Sequence, residues 1–402
     1  MRNLIAVRRG RRRPRVLTIF GSRPEATKMA PVLAALGADR ALESRVCVTA
    51  QHREMLDQVL AFYGIVPDHD LNLMRPRQSL TYLTAAAVTA LGPVLEAEEP
   101  DLVLVHGDTL TTFVGSYSAF LHQVPVGHVE AGLRSHRLYS PFPEEGTRRL
   151  TDAIAALHFA PTPSARENLL REGLDATGVF VTGNTAVDAF LALVRPDHAF
   201  TDPAVAHAFA QRRPVVAVEV HRRENWGERM RQVLRGLRDA LESRPGALAV
   251  FSVHRNPVVE EVVAEVLGDA AQVVRVGPQP YVEWANVMAR AAVVLTDSGG
   301  IQEEAPSAGV RVLLARTETE RPEGVEAGTV VVVGVDREAV AEGLRRELDS
   351  GRTGARARRN PYGDGHAAER IAAIVRYAFG LDEAPPAPFS PEAPRAGGVA
   401  RG

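Results

Sequence analysis

The chain has 402 residues, 47 lysines and arginines against 49 aspartates and glutamates, a formal net charge of -2 and one cysteine, Cys47. That length suits two domains, and the even charge offers no long-range field for nucleic acid or an anionic membrane, so neither is expected as a partner. A single cysteine excludes an internal disulfide framework and any multi-cysteine metal site, in keeping with a reducing compartment; Cys47 reads as a core residue.

Residues 1–14 read as a basic flexible leader whose apolar stretch is too short for a signal peptide. No apolar run is long enough to cross a bilayer, so a cytoplasmic protein is expected. From residue 15 onward short β-branched runs alternate with helical stretches, the pattern of βα units around a parallel sheet. The strands are "RVLTIF", "SRVCVTA", "DLVLVHG", "VPVGHV", "ALHFAPT" and "VFVTGN", then, after a polar connection "LVRPDHAFTDPAVAHAFAQRRP", a second series of "PVVAVEVH", "ALAVFSVH", "QVVRVG", "AAVVLTD" and "VRVLLA". This gives a Rossmann-like domain over 15–190, a second over 191–365, a helix over 366–382 and a flexible Pro- and Ala-rich tail over 383–402.

Ligands of doubly wound sheets bind at the carboxyl ends of the strands, and the unusual residues begin there: "FGSRPEATK", "TAQHRE", "VHGDTLTT", "GHVEAG", "EVHRREN", "SVHRNP" and "TDSGGIQEE". Polar residues from both halves are therefore expected to face one cleft. Neither GxGxxG nor GxxxxGK[ST] occurs, which argues against NAD and ordinary NTP hydrolysis. In "TDSGGIQEEAP", Gly299 and Gly300 let backbone N–H groups approach an anion at a helix N-terminus, and Glu303 and Glu304 one turn on can accept ribose hydroxyls; a plain glycine turn capped by Ser298 fits the same residues. His221, at a strand end with Arg222 and Arg223, can give a proton to a leaving phosphate. His52, His106, His128 and His254 share with it the ordinary role of a structural histidine.

In the first half Asp108, Glu130 and Glu144 or Glu145 sit at the ends of buried strands, where an acid needs a partner or a function. Asp108 taken alone reads as the cap of the helix that follows it. Lys28 is the only lysine in the chain. It falls in the first turns of a helix entered through Pro24, where the macrodipole disfavours a cation. Glu25 is the ordinary counter-ion for it; a catalytic carboxylate or a diphosphate better explains a lone ammonium in an arginine-rich chain. Arg23 beside it suits a bidentate phosphate grip.

Together "GSRPEATKMAP", "TAQHREML", "HGDT", "GHVEAGLRS", "PFPEE", "GNTAVDA", "HRRENWGER", "TDSGGIQEEAP" and "ERPEGVEAGT" resemble the non-hydrolysing UDP-N-acetylglucosamine 2-epimerases, in order, from about residue 15 to 380. The resemblance implies two Rossmann-like doubly wound α/β domains facing a central cleft (a glycosyltransferase-B-type fold), a C-terminal helix returning to the first domain, and a homodimer. It also implies interconversion of UDP-N-acetylglucosamine and UDP-N-acetylmannosamine, with no cofactor and no metal. Residue by residue it makes Lys28, Asp108, Glu130, Glu144 and His221 catalytic, and Arg23, Ser298, Gly299, Gly300, Glu304 and Arg321 nucleotide-binding. Gln51, Arg77 and His254 match positions where some members hold a second substrate molecule as activator, and Glu54 stands where those members carry Gln. Two further departures are Glu219 and Val220 before His221, where the family commonly has "TAHRREN", and Thr147 in place of a common Asn. A hydrolysing relative that releases N-acetylmannosamine and a non-catalytic UDP-sugar sensor are the alternative activities.

Overall fold

β-Branched runs flanked by glycine and polar turns pair as parallel strands, and the amphipathic stretches between them cover both faces. The computed structural model describes residues 5, 13–50, 53–73, 78–350 and 359–392. The chain divides into two units, Met1–Ala189 with Gly363–Gly402, and Phe190–Tyr362.

The first unit runs β1 (Arg15–Phe20), α1 (Arg23–Ala38), β2 (Glu43–Val48), α2 (Arg53–Tyr63), β3 (His69–Asp70), α3 (Leu80–Glu98), β4 (Leu102–His106), α4 (Leu110–Leu121), β5 (Val126–Val129), α5 (Glu144–Ile154), β6 (Leu157–Ala160), α6 (Pro163–Arg171), β7 (Val179–Val181) and α7 (Thr185–Leu193). Its seven strands are ordered β3-β2-β1-β4-β5-β6-β7, all parallel. The order reverses between β1 and β4, and the turns after those strands open the crevice in which doubly wound sheets bind ligands. Phe20, Met29 and Leu36 fill one face of the sheet, and Ile19, Cys47 and Val105 the other.

The second unit runs α8 (Pro203–Ala210), β8 (Val215–Glu219), α9 (Glu228–Glu242), β9 (Leu248–Ser252), α10 (Pro257–Leu267), β10 (Val273–Val276), α11 (Tyr281–Arg290), β11 (Val293–Thr296), α12 (Gly299–Glu304), β12 (Arg311–Leu314), α13 (Pro322–Glu326), β13 (Val330–Val332) and α14 (Arg337–Ser350). The order β10-β9-β8-β11-β12-β13 reverses between β8 and β11. Thr296 pairs with Glu219, so Asp297 and His221 leave the sheet side by side. The last helix, α15 (Ala367–Ala378), belongs to the first unit, where Ile371, Ile374 and Val375 join the core beside α1.

Several expectations need correction. The edge strands β3 and β13 escaped the sequence reading: two residues carry no period, and "VVV" in β13 has none to show. The connection between the series contains α8, which Asp202 caps through the Ala204 N–H at 2.9 Å. The leader and the tail are both partly tied down. Ile5 is buried and donates its N–H to the Ala378 carbonyl at 3.0 Å, while Phe389, 4% exposed, donates to the Val181 carbonyl at 2.8 Å. An apolar side chain with a core site and a backbone partner outweighs the local Pro-rich composition. Finally, α3 is, among the described residues, the one helix long and apolar enough to cross a membrane by length and composition; its Leu83, Leu91 and Leu95 pack into the core of the first unit.

Candidate active site

In the first unit Gly21 follows β1, and a Cβ there would lie 2.0 Å from Thr49 Oγ1, so only glycine lets the chain turn there into α1. Glu25 is buried and accepts the N–H groups of Gly21 (3.2 Å) and Ser22 (2.8 Å) and the Thr109 hydroxyl (2.8 Å). Burial pushes its carboxyl up despite these donors. Glu25 thus serves the backbone of the helix entry, which leaves Lys28 to another acid. Lys28 Nζ meets Glu130 Oε2 at 2.6 Å, across 102 residues of sequence.

Glu130 follows β5 in the left-handed region, φ 67°, a conformation that costs a non-glycine residue of order 1–3 kcal/mol and is held by its surroundings. Gly107, φ 72°, faces it after β4: a Cβ there would sit 3.7 Å from Glu130 Oε1. His128 fixes this turn, with Nε2 2.7 Å from the Gly107 carbonyl and Nδ1 2.6 Å from buried Asp152, so it is structural. His106, the last residue of β4, lies 3.8 Å from Glu130 Oε2.

Asp108 is not the helix cap. Thr109 takes that position, accepting the Thr112 N–H at 3.2 Å, and the Asp108 carboxylate pairs instead with Arg148 on α5. Of the two acids that open α5, Glu145 is fully buried and held by the Ser135 N–H and Arg149 Nε, each at 2.9 Å. Glu144 keeps a buried Oε2 without a hydrogen bond, which separates the structural acid from the available one. Thr147 links the pair, its hydroxyl reaching the carbonyls of Asp108 and Glu144. Arg23, at the start of α1, is exposed.

In the second unit Asp297, fully buried after β11, accepts the backbone N–H of His221 (3.1 Å), that of Arg222 (3.0 Å) and the Asn225 amide (2.9 Å). It builds the turn that presents His221. The His221 ring stacks on His254, centroids 5.3 Å apart and 9° from parallel, and Glu219 approaches its Nδ1 to 3.8 Å. Burial lowers the His221 pKa, with Asp297 acting against that shift and His254 reinforcing it. Ser298 precedes α12, its N–H on Thr296 Oγ1 at 3.0 Å. A Cβ at Gly299 would fall 2.8 Å from Arg321 Nη1, so that glycine is what admits the guanidinium. Arg321 also meets buried Glu303 (2.6 Å) and Glu320 (2.6 Å), leaving Glu304 as the more accessible member of the acidic pair.

Lys28, Asp108, Glu130 and Glu144 are therefore gathered in the first unit, and His221, His254, Ser298, Gly299, Gly300, Glu304 and Arg321 in the second. Gln51 and Arg77 lie outside the described residues, as does the side chain of Glu54. Sequence reasoning missed Arg148 and Asp297. Arg148 sits four residues beyond Glu144 on the same helix face, a spacing that could have marked it; a buried Asp after "VVLT" gave no such signal.

Two doubly wound units, each with its charged residues at strand ends beside a switch point, define a Rossmann-like protein of glycosyltransferase-B type. Residues 34–376 match the family model described as UDP-N-acetylglucosamine 2-epimerase. The UDP-N-acetylglucosamine 2-epimerase of Escherichia coli K12 is 48% identical over 364 residues, 89% of this chain and 97% of that protein. The S. aureus MnaA–UDP structure superposes with a TM-score of 0.82 at 41% identity, covering 94% of this chain and all of that one. The Neisseria meningitidis UDP-GlcNAc 2-epimerase bound to UDP-GlcNAc gives 0.78 at 42%, with 90% and 99% covered. The chain belongs to the UDP-N-acetylglucosamine 2-epimerase family.

Proposed function

We propose that the protein reversibly converts UDP-N-acetylglucosamine to UDP-N-acetylmannosamine without net hydrolysis, by elimination and re-addition of UDP. The hydrogen on carbon 2 has no adjacent carbonyl to stabilise a carbanion, so its loss is coupled to departure of the leaving group. A carboxylate takes the proton, the C–H electron pair becomes the bond between carbons 1 and 2, and the carbon 1–oxygen bond breaks with its electrons on UDP. Re-addition of UDP to the 2-acetamidoglucal, with protonation from the opposite face, gives the epimer. Asp108, Glu130 and Glu144 are the acids for the two faces, Lys28 holds them in register, and His221 with Arg321 serves the diphosphate as charge develops on it.

The observation that carries this reading is the acid group itself: Glu130 on Lys28 at 2.6 Å, Asp108 on Arg148, and Glu144 with an unengaged oxygen, all at the ends of β4 and β5 or the start of α5. The reaction makes two demands, a base for a carbon acid and support for a diphosphate leaving group, and the chain carries residues whose chemistry suits each. The homodimer that the family resemblance implies is proposed as well, supported by an aromatic row on α4. Phe113 stacks on Tyr117 (5.8 Å) and Tyr117 on Phe120 (6.5 Å), with Phe120 54% exposed beside Leu121.

The test is proton NMR of the protein with UDP-N-acetylglucosamine in deuterated water, across low and high substrate concentrations. UDP-N-acetylmannosamine deuterated at carbon 2 is expected. Free N-acetylmannosamine with UDP would replace this reading by the hydrolysing one, and complete retention of the original hydrogen in an epimerised product would refute the elimination route.

A further inference from the structure

His106 has no place in the chemistry described so far, yet its surroundings are unusual. Its side chain is buried, 3% exposed, and neither ring nitrogen makes a hydrogen bond. Buried polar atoms without partners are uncommon because each forfeits its hydration. His128, on the adjacent strand β5, has both nitrogens engaged; His106 has neither, although its backbone carbonyl is held by the Thr112 hydroxyl at 2.5 Å. The strand end that carries the ring is thus held, and its Nε2 lies 3.8 Å from Glu130 Oε2, the oxygen that Lys28 binds.

Glu130 must be satisfied in two protonation states. Lys28 answers the ionised state, but an ammonium has three donors and no acceptor, so it has nothing to offer the O–H of the protonated acid. Whichever face of the sugar Glu130 serves, it carries the proton on one side of the reaction. We propose that His106 is a positioning residue for this proton transfer: its Nε2 lone pair accepts the hydrogen bond of Glu130 while that carboxyl is protonated, and so holds the acid in place until the proton leaves it. The inference rests on the epimerase reading. At 3.8 Å the ring is not donating to the ionised carboxylate, and closing about 1 Å brings it within hydrogen-bond range.

The charged and titratable groups facing the ring are Glu130 and His128 from the β5 end, Lys28 from α1 and Asp108 from the following turn. Burial dominates over all of them and lowers the His106 pKa to about 4. A neutral imidazole accepts the hydrogen bond without taking the proton for itself, so the proton stays on the carboxyl.

His106→Leu and His106→Gln test this together, since glutamine retains an acceptor and leucine does not. We expect His106→Leu to lower kcat on the order of 10- to 100-fold, as for other losses of alignment at a reacting centre, with KM and UDP affinity within about twofold, and His106→Gln to recover a large part of the loss. Equal losses in the two variants, or wild-type kcat in His106→Leu, would overturn the proposal. A measurement on the wild-type protein avoids any folding defect: 15N NMR of histidine-labelled protein, with His106 assigned by its absence in His106→Gln, should show Nε2 without a proton. A protonated Nε2 overturns the assignment. If the wild-type protein formed no epimer the epimerase reading would fail, and the tautomer would still be read independently.

Discussion

Replacing Lys28 by arginine keeps the positive charge and changes its shape, which makes it a sharp probe of the acid group. The ammonium approaches Glu130 Oε2 to 2.6 Å, with both side chains largely enclosed (20% and 11% exposed). A planar guanidinium is larger, spreads its charge over a fork, and cannot reproduce a single compact donor at that oxygen. Glu130 sits on a left-handed backbone beside the Gly107 turn, which limits how far its carboxylate can retreat. A displacement of about 1 Å at a reacting group costs about a hundredfold in rate, or about 2.7 kcal/mol of barrier. Stability should change far less, since charge is conserved and a partly exposed pair contributes modestly; a loss of about 1 kcal/mol moves the Tm of a unit this size by only a few degrees. The assay pairs initial epimerisation rates by NMR with thermal unfolding. A Lys28→Arg protein with turnover within about threefold of wild type would refute the argument and return the lone lysine to coincidence.

Asp108→Asn, Glu130→Gln, Glu144→Gln and His221→Asn should each slow epimerisation while the first three leave UDP binding by calorimetry nearly unchanged; an acid whose loss weakens binding in proportion to rate belongs to the binding set instead. Because burial holds His221 below its usual pKa, a bound diphosphate should raise it, so UDP binding near neutral pH should take up protons and tighten as pH falls, measurable by calorimetry in buffers of different ionisation enthalpy. Asp188 is buried with its Oδ1 on the Ala368 N–H at 2.8 Å; burial foremost, with Asp364 adding to it and His366 opposing, raises its pKa to about 6. The native state then holds this proton more tightly than the unfolded chain, so its contribution is full below about pH 4 and is lost as pH rises through 6. Asp188→Asn should remove that loss and stabilise the protein at pH 8 by at most about 3 kcal/mol, with no gain at pH 4, by denaturant titration. Light scattering should give twice the chain mass, and Phe120→Glu should shift it toward one; a wild-type monomer would remove the dimer proposal.

By itself the sequence determined the two series of parallel strands and the loops that carry chemistry. A buried strand needs an unbroken apolar run and a strand end needs glycine or a polar turn, and both are local properties of the chain. The same locality marked Lys28, by composition alone, as a residue with a purpose. It could not choose between Glu25 and Glu130 as the partner of Lys28, since one is three residues away and the other 102, and only the β1-β4-β5 order brings the second to 2.6 Å. Nor could it separate Glu144 from Glu145: adjacent residues on a helix point about 100° apart, and which direction is core depends on what α5 packs against. Arg148 on Asp108, Asp297 beneath His221 and the unpartnered ring of His106 were likewise set by tertiary contacts. So was the burial of Phe389 within a proline-rich tail, where a long-range core contact outweighs what the local residues favour.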